Sequence, residues 1–244
     1  MSELTISRNP IAVRERLIMA LDVPSIADAK ALVEELDDAV IFYKAGMELF
    51  MSGDYFGFID WLKMRNKKVF VDLKFFDIPA TVGRAIKALS QKGVDFATIH
   101  GNDSIMEAAV KTKGDLKVLA VTALTSLDRG DLDDLGFQCD VTHLVMSRAK
   151  RALEIGCDGI VSSGLEVSMI RRELEHKLLV ITPGIRPVEN REDDDQKRAV
   201  SVEQAIQNGA DYIVVGRPIR DAADPRAMAE KVQLQIAAQF AQPV

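Results

Sequence analysis

The sequence predicts an α/β fold, a single-domain (β/α)8 TIM barrel over residues 1–244. Three observations support it: eight short apolar runs, helical periodicity between them, and a length typical of one barrel. The runs lack strict alternation of apolar and polar residues, which is typical of strands buried on both faces of a parallel sheet. An open doubly wound sheet is the alternative. However, the first run is followed by Asp22-Val-Pro-Ser25 where a dinucleotide-binding fold would have Gly-x-Gly-x-x-Gly.

The predicted strands are spaced so that a helix fits between one strand and the next. In chain order they are Leu17–Leu21, Val40–Tyr43, Lys68–Leu73, Phe96–Ile99, Lys117–Val121, Gly159–Val161, Leu178–Ile181 and Tyr212–Val215. Helical periodicity is clearest over Ile26–Leu36, Thr81–Lys92, Val141–Ile155 and Val202–Asn208. Gly93 and Gly209 end two of these segments, as glycine often does. Residues 1–16 form a lead segment, and the charged residues 187–198 form a loop after the seventh strand.

Composition and charge exclude several classes of function. With 48% hydrophobic residues, the chain can bury a sizeable core. The formal charge of −6 argues against nucleic acid or an anionic membrane as partner, because both need a basic surface. Cys139 and Cys157 show no metal-binding spacing and indicate reduced thiols. We find no signal peptide and no membrane-spanning apolar run, so the sequence predicts a soluble cytoplasmic protein.

The most informative stretch is 72–81, at the end of the third predicted strand. Asp72 and Lys74 are two residues apart, so in a strand their side chains point to the same face. Asp77 follows just beyond, where Pro79 keeps the strand from continuing. Ionisable groups this close to a buried strand are unfavourable unless they form a hydrogen-bonded network or take part in chemistry. A surface ladder of salt bridges is the plainer interpretation and a catalytic set of charges is the other; the rest of the chain decides between them.

Polar residues that end the other predicted strands are candidates for an active site, because barrel enzymes build theirs at the carboxyl ends of strands. They are Asp22, Lys44, His100, residues 122–126, residues 182–186 and residues 216–218. Asp22 by itself is equally compatible with a helix cap. For His100 we favour a packing role. Together with Asp72, Lys74 and Asp77, Lys44 makes a set of charges that alternate in sign. A buried network needs this alternation if its charges are to be satisfied.

The last two strand ends carry a phosphate-binding pattern, in which a glycine lets backbone N–H groups approach an anion and an arginine supplies a guanidinium group. The pairs are Gly184 with Arg186 and Gly216 with Arg217. Phosphate sites after strands seven and eight are common in barrels. Loop 187–198 lies beside them and is predicted to close over the site, with the neutral Gln196 as a further donor.

Taken together, these residues resemble the orotidine 5′-phosphate decarboxylase family over nearly the whole chain. The motifs are Ala20-Leu-Asp22, Lys44-Ala-Gly46, Asp72-Leu-Lys-Phe-Phe-Asp77-Ile-Pro, Leu124-Thr-Ser126, Pro183-Gly-Ile-Arg186-Pro and Gly216-Arg217-Pro218. The Asp-x-Lys-x-x-Asp element alone is shared with related barrel enzymes of sugar phosphates, so the combination carries the resemblance. One departure is Phe76, where many bacterial members have His. That position flanks the charged residues and does not belong to them.

The resemblance implies decarboxylation of orotidine 5′-monophosphate to uridine 5′-monophosphate in pyrimidine biosynthesis, with no cofactor and no metal. Lys74 would protonate C6, Asp72 would lie beside the departing carboxylate, and Lys44 would hold the network and contact the ribose. Asp77 and Thr81 would reach into the site of the neighbouring subunit, so the functional unit would be a homodimer with shared sites.

The other substrate contacts are also implied by the resemblance. Asp22 would bind a ribose hydroxyl, and Ser126 would bind the pyrimidine edge with Thr125 nearby. The phosphate would be held by Gln196, Arg217 and the Gly216 amide, with Arg186 supporting the loop around it.

Three other functions fit parts of the pattern. A metal-dependent sugar-phosphate decarboxylase or epimerase needs a second carboxylate beside Asp72 to hold Mg²⁺, and Lys44 stands in that place. A Schiff-base aldolase would use Lys74 or Lys44, but flanking carboxylates keep a lysine charged and weakly nucleophilic. The third is a catalytically silent phosphate-binding or regulatory barrel. The retained charges argue against it, because a set of charges with no function would only destabilise the fold.

Overall fold

Eight parallel strands close into one barrel in the computed structural model, which describes residues 6–186 and 199–241. The strands are β1 Leu17–Ala20, β2 Phe42–Gly46, β3 Lys68–Phe75, β4 Phe96–His100, β5 Lys117–Val121, β6 Gly159–Val161, β7 Leu179–Thr182 and β8 Tyr212–Val215. Each strand pairs with the next in chain order, and β8 pairs with β1. The predicted (β/α)8 barrel is confirmed.

The helices of the described residues lie between these strands and after the last of them. They are α1 Ile26–Leu36, α2 Met47–Phe50, α3 Tyr55–Met64, α4 Pro79–Ser90, α5 Asp103–Thr112, α6 Arg129–Asp134, α7 Val141–Ile155, α8 Val167–Leu174, α9 Val202–Gln207, α10 Arg217–Arg220 and α11 Pro225–Phe240. The side chain of Ser25 accepts a hydrogen bond from the backbone N–H of Asp28 and caps α1, so the capping role open to Asp22 belongs to Ser25. None of the helices in residues 6–186 and 199–241 is long and apolar enough to cross a bilayer.

Apolar side chains pack on both faces of the strands, which explains why the predicted runs lack alternation. The layer inside the barrel consists of Ile18, Ala20, Phe42, Phe70, Phe96, Leu119, Ile181, Tyr212 and Val214. The rings of Phe42, Phe96 and Tyr212 meet with centroid distances of 5.0 to 5.8 Å. These rings belong to the first residues of β2, β4 and β8, so they fill the amino end of the barrel and leave the carboxyl end to polar groups.

The second strand differs in its bounds from the sequence prediction. It begins at Phe42 and ends at Gly46, whereas the apolar run covers Val40–Tyr43. Lys44 therefore lies within β2, paired with Ala20 on β1 and Phe70 on β3. The run stops at the first charged residue, but backbone pairing does not depend on side-chain polarity.

The described part of the lead segment closes the amino end of the barrel around Asp211. Ser7 donates its hydroxyl proton to this carboxylate, and the side-chain amide of Asn9 donates to it at 2.9 Å. Arg171 pairs with the same carboxylate, and both side chains are at most 1% exposed. The Arg16 guanidinium donates to the main-chain carbonyl of Asp211 at 3.1 Å. This buried charge pair ties together the start of the chain, α8 and β8.

Breaking the buried pair should destabilise the fold strongly. In Arg171→Met the carboxylate of Asp211 stays buried without its counter-charge, which typically costs about 3–5 kcal/mol. Urea unfolding should show this loss in the free energy of unfolding. The matched control is Lys150→Met, which removes a half-exposed pair with Glu173 and should leave that free energy unchanged. Equal losses in both variants would contradict a structural role for Asp211.

Candidate active site

A cavity of about 440 Å³ opens at the carboxyl end of the barrel. Eight of the predicted site residues line it: Asp22, Lys44, Asp72, Lys74, Thr125, Arg186, Gly216 and Arg217. Its apolar lining consists of Ala20, Phe70, Val121, Ala123, Leu124, Val161, Pro183 and Val214. The cavity therefore offers charged groups and an apolar lining at the place where barrel enzymes have their sites.

Four charged side chains form a chain of alternating sign on one wall of the cavity. The Lys44 Nζ lies 2.9 Å from Asp22 Oδ1 and 3.5 Å from Asp72 Oδ2. The Lys74 Nζ lies 2.9 Å from Asp72 Oδ1. The two inner side chains, Lys44 and Asp72, are only 11% and 12% exposed. The structure thus brings together Lys44, Asp72 and Lys74 as predicted, with Asp22 as the fourth member in place of the predicted Asp77. The inner pair is buried and the outer pair is open to a ligand.

Mutual attraction keeps the inner pair charged against the effect of burial. Burial lowers the pKa of Lys44, but Asp72 and Asp22 outweigh it and the pKa is raised. Burial raises the pKa of Asp72, but Lys44 and Lys74, together with hydrogen bonds from Lys74 and Thr98, outweigh it and the pKa is lowered. At neutral pH the inner lysine is therefore an ammonium and the inner aspartate a carboxylate.

A β-bulge in β3 sets the direction of the Asp72 and Lys74 side chains. The strand pairs on either side of it are Val71 with Ala97 and Phe75 with Ile99. Residues 72–74 therefore lie opposite a single residue of β4, Thr98. Lys74 has a φ of 48°, which is uncommon for a residue other than glycine and clusters at functional sites. Both side chains face the cavity as predicted, but regular strand alternation is not the reason.

Asp77 and Thr81 are not among the residues that line the cavity in the described part of the chain. Asp77 is exposed and accepts a hydrogen bond from the backbone N–H of Ile78 at 2.6 Å. The hydroxyl of Thr81 accepts one from Arg84 at 3.1 Å. Phe76 and Ile78, beside Asp77, are 66% and 65% exposed. These side chains form an outward-facing surface next to the site.

Two further substrate-binding predictions have different outcomes. Ser126 is exposed and is absent from the described lining of the cavity, whereas Thr125 before it is part of that lining. Gln196 and the predicted lid 187–198 lie outside the described residues.

His100 packs as the sequence favoured. Its ring lies 4.4 Å from the ring of Phe76, centroid to centroid, and its Nδ1 is 3.3 Å from Asn102 Oδ1. Burial is the main reason that its pKa is lowered, and Arg148 adds to the effect. His100 therefore packs as a neutral imidazole, tilted against Phe76, at the carboxyl end of β4.

Sequence reasoning missed Arg220. It lines the cavity, and its guanidinium donates to the main-chain carbonyl of Asp22 and to both carboxylate oxygens of Asp221, at 2.6 and 3.1 Å. It is three residues after Arg217 on α10, and residues three apart share a helix face. That spacing is the signal that could have identified it.

Among residues 6–186 and 199–241, no group of three or more His, Cys, Asp or Glu side chains is placed to hold a metal ion. The carboxylates of Asp22 and Asp72 both contact the Lys44 Nζ, at 2.9 and 3.5 Å. The ammonium of Lys44 lies between them, in the position that a divalent cation would need.

Comparison with known proteins gives consistent matches over almost the full length. The sequence profile of the family described as orotidine 5′-phosphate decarboxylase / HUMPS matches residues 15–232. An orotidine 5′-phosphate decarboxylase of Methylococcus capsulatus is 69% identical over 236 residues, covering 97% of this chain and 98% of the relative. One of Stenotrophomonas maltophilia is 50% identical over 239 residues, covering 96% and 99%. The crystal structure of orotidine 5′-phosphate decarboxylase from Lactobacillus acidophilus superposes with a TM-score of 0.80 at 32% identity, covering 91% of this chain and 99% of that chain.

Proposed function

This chain belongs to the orotidine 5′-phosphate decarboxylase / HUMPS family, and we propose that it converts orotidine 5′-monophosphate to uridine 5′-monophosphate in pyrimidine biosynthesis. It would act as a carboxy-lyase without a cofactor. The observation that carries the proposal is the chain of alternating charges from Asp22 through Lys44 and Asp72 to Lys74.

The chemistry of the reaction requires such an arrangement. When the bond between C6 and the carboxylate breaks, its electron pair stays on C6 as a carbanion with no adjacent carbonyl group to accept it. Fixed charges that are already oriented stabilise that carbanion without rearranging during the reaction. The ammonium of Lys74, which is the more exposed of the two lysines, would donate its proton to C6 and later recover one from water.

Asp72 would lie beside the carboxylate that leaves. Its own carboxylate stays ionised because Lys44 and Lys74 hold it in that state, so it would repel the substrate carboxylate and favour its departure. As carbon dioxide leaves, that repulsion ends while the attraction between Lys74 and the carbanion grows. The difference between the two states is what lowers the barrier.

The rest of the cavity would grip the ribose and the phosphate. Asp22 and Lys44 lie on the wall where a ribose hydroxyl would bind, and Thr125 lines the cavity where the pyrimidine would lie. Arg186 and Arg217 supply two guanidinium groups for a phosphate dianion, and the Gly216 amide, Gln196 and loop 187–198 would complete the grip. Binding energy from this remote group can be used to hold the reacting carbon against Lys74.

Metal-dependent sugar-phosphate enzymes on the same barrel are the second candidate. They need carboxylates around Mg²⁺, and Asp22 and Asp72 alone would suit that role. Lys44 between them favours the decarboxylase, because an ammonium and a divalent cation repel each other at such short distances.

We further propose a homodimer in which Asp77 and Thr81 complete the site of the partner. The support is that Asp77 is exposed and lies outside the described lining of its own cavity. Phe76 and Ile78 beside it expose apolar surface that a second subunit would cover. A cytoplasmic location also stays a proposal, supported by the free thiols of Cys139 and Cys157.

Turnover of orotidine 5′-monophosphate tests the function directly. The purified chain should consume it, followed by ultraviolet absorbance, with equal rates in the presence and absence of a chelator. Added Mg²⁺ should have no effect. Loss of activity in chelator with recovery in Mg²⁺ would favour the metal-dependent alternative.

Replacing the proton donor should abolish turnover. Lys74→Ala should reduce kcat by about 10²–10⁴-fold or more, because a positioned general acid is worth about that much. The matched control is Lys68→Ala, which removes another ion-paired lysine from the opposite end of the same strand and should keep turnover within about twofold. Retention of more than about a tenth of the wild-type kcat in Lys74→Ala would exclude it as the donor.

Mixing two inactive variants tests the shared site. Lys74→Ala and Asp77→Ala chains, allowed to exchange subunits, should form heterodimers with one doubly altered site and one intact site. The heterodimer should then recover about half of the wild-type specific activity. The control mixture, Lys74→Ala with Asp72→Asn, changes two residues of the same barrel and should recover none. No recovery in the first mixture, with exchange demonstrated, would place Asp77 in its own site.

A further inference from the structure

Thr98 on β4 contacts both members of the Asp72–Lys74 pair from behind the cavity. Its hydroxyl donates to Asp72 Oδ1 at 2.9 Å and accepts from the backbone N–H of Lys74 at 2.9 Å. The side chain is fully buried and is not among the described residues that line the cavity. A hydroxyl has one proton to give and lone pairs to accept with, so both hydrogen bonds form together.

The hydrogen bond from the Lys74 N–H to Thr98 satisfies a backbone group that the β-bulge leaves without a strand partner. Regular pairing of β3 with β4 stops at Val71 and resumes at Phe75, so the N–H of Lys74 lies outside the ladder. The same residue has a positive φ, a conformation that persists only where the surroundings hold it. Because an unpaired buried N–H is costly, the hydroxyl of Thr98 stabilises the conformation from which the Lys74 side chain extends.

The hydrogen bond from Thr98 to Asp72 fixes the orientation of a carboxylate. Oδ1 of Asp72 accepts from Lys74 Nζ and from Thr98, and Oδ2 faces Lys44 at 3.5 Å. Both lysines are long chains with several rotatable bonds. Thr98 is β-branched and restricted at χ1, so it is the rigid donor of the three.

We propose that Thr98 is a positioning residue for the decarboxylation. It would hold the Asp72 carboxylate and the Lys74 backbone in one arrangement, so that the ammonium points at the reacting carbon. This inference rests on the proposed function, and Thr98 itself would not touch the substrate.

Two substitutions separate the hydroxyl from the packing of the side chain. Thr98→Val keeps the shape and removes both hydrogen bonds, whereas Thr98→Ser keeps the hydroxyl. We expect kcat to fall by about tenfold to a hundredfold in Thr98→Val, the range for a lost hydrogen bond to a charged group. KM should change by less than about threefold, because the ribose and phosphate contacts are untouched. Thr98→Ser should stay within about threefold of wild type in both constants.

The pH profile distinguishes positioning from general instability. Ion pairs with Lys44 and Lys74 and the bond from Thr98 lower the pKa of Asp72 against the effect of burial. Without the hydroxyl that pKa rises, so the acid limb of kcat should move to higher pH in Thr98→Val and not in Thr98→Ser. The other charged or titratable groups around this carboxylate are Lys44, Lys74, Asp22 and Tyr55, and neither variant changes them. A merely less stable protein would lose active enzyme without moving the limb.

Thr98→Ala is a second hydroxyl-free variant that places no methyl group at the donor position. It should shift the acid limb in the same direction as Thr98→Val. A carbon NMR titration of the Asp72 carboxyl group should show the same rise in pKa, and this readout needs no turnover.

The outcomes keep the two claims apart. If the wild type turns over orotidine 5′-monophosphate and all three variants match it in kcat and in pH profile, the positioning role is wrong and the proposed function stands. If the wild type is inactive while the NMR titration still shows the shift, the hydrogen bond is real but the function, and with it a role in decarboxylation, is overturned. A lower kcat with an unmoved acid limb and an unmoved Asp72 titration would also overturn the positioning role.

Discussion

The carboxylate of Asp72, buried between two ammonium groups, is the interaction on which the site depends. Burying an isolated carboxylate is unfavourable, and it is tolerated here because Lys44, Lys74 and Thr98 all contact it. Removing either lysine leaves the buried carboxylate with less opposite charge, and removing the Thr98 hydroxyl takes a hydrogen bond from it. Lys44 is the least replaceable of them, because it also pairs with Asp22. Its ammonium occupies the space between the two carboxylates, where a metal ion would otherwise have to bind. Stability and chemistry therefore place the same demand on these residues.

The barrel supplies the rigidity that this arrangement requires. Aromatic rings close its amino end, and the buried pair of Arg171 and Asp211 fixes the described lead segment there. The strands can then present polar side chains at the other end without exposing the core. Arg220, on α10, lines the cavity and donates to the main-chain carbonyl of Asp22, which follows β1. It therefore links the segments that follow β8 and β1. A preorganised set of charges of this kind does not have to rearrange during a reaction.

Most of the architecture could be predicted because it follows from local pattern. Apolar runs and helical periodicity identify the barrel, and charges at the strand ends identify the cavity wall. The β-bulge could not be predicted, because it depends on how β3 pairs with β4. The sequence of one strand does not determine its register against the next. Thr98 was missed for the same reason, since its two partners become neighbours only through that bulge. For Ser126 the motif predicted a role in the site, but the structure leaves the residue exposed. Its position depends on the conformation of a loop, which the periodicity of the sequence does not describe.

A neutron crystal structure at neutral pH would test the central claim most directly, because it locates protons on individual side chains. We expect three hydrogens on the Nζ atoms of both Lys44 and Lys74, none on the oxygens of Asp72, and the hydroxyl hydrogen of Thr98 directed at Oδ1. That result would show a fixed chain of alternating charges before substrate binds. A proton on Asp72, or a neutral Lys44, would contradict the account, because the site would then lack the field that the carbanion needs.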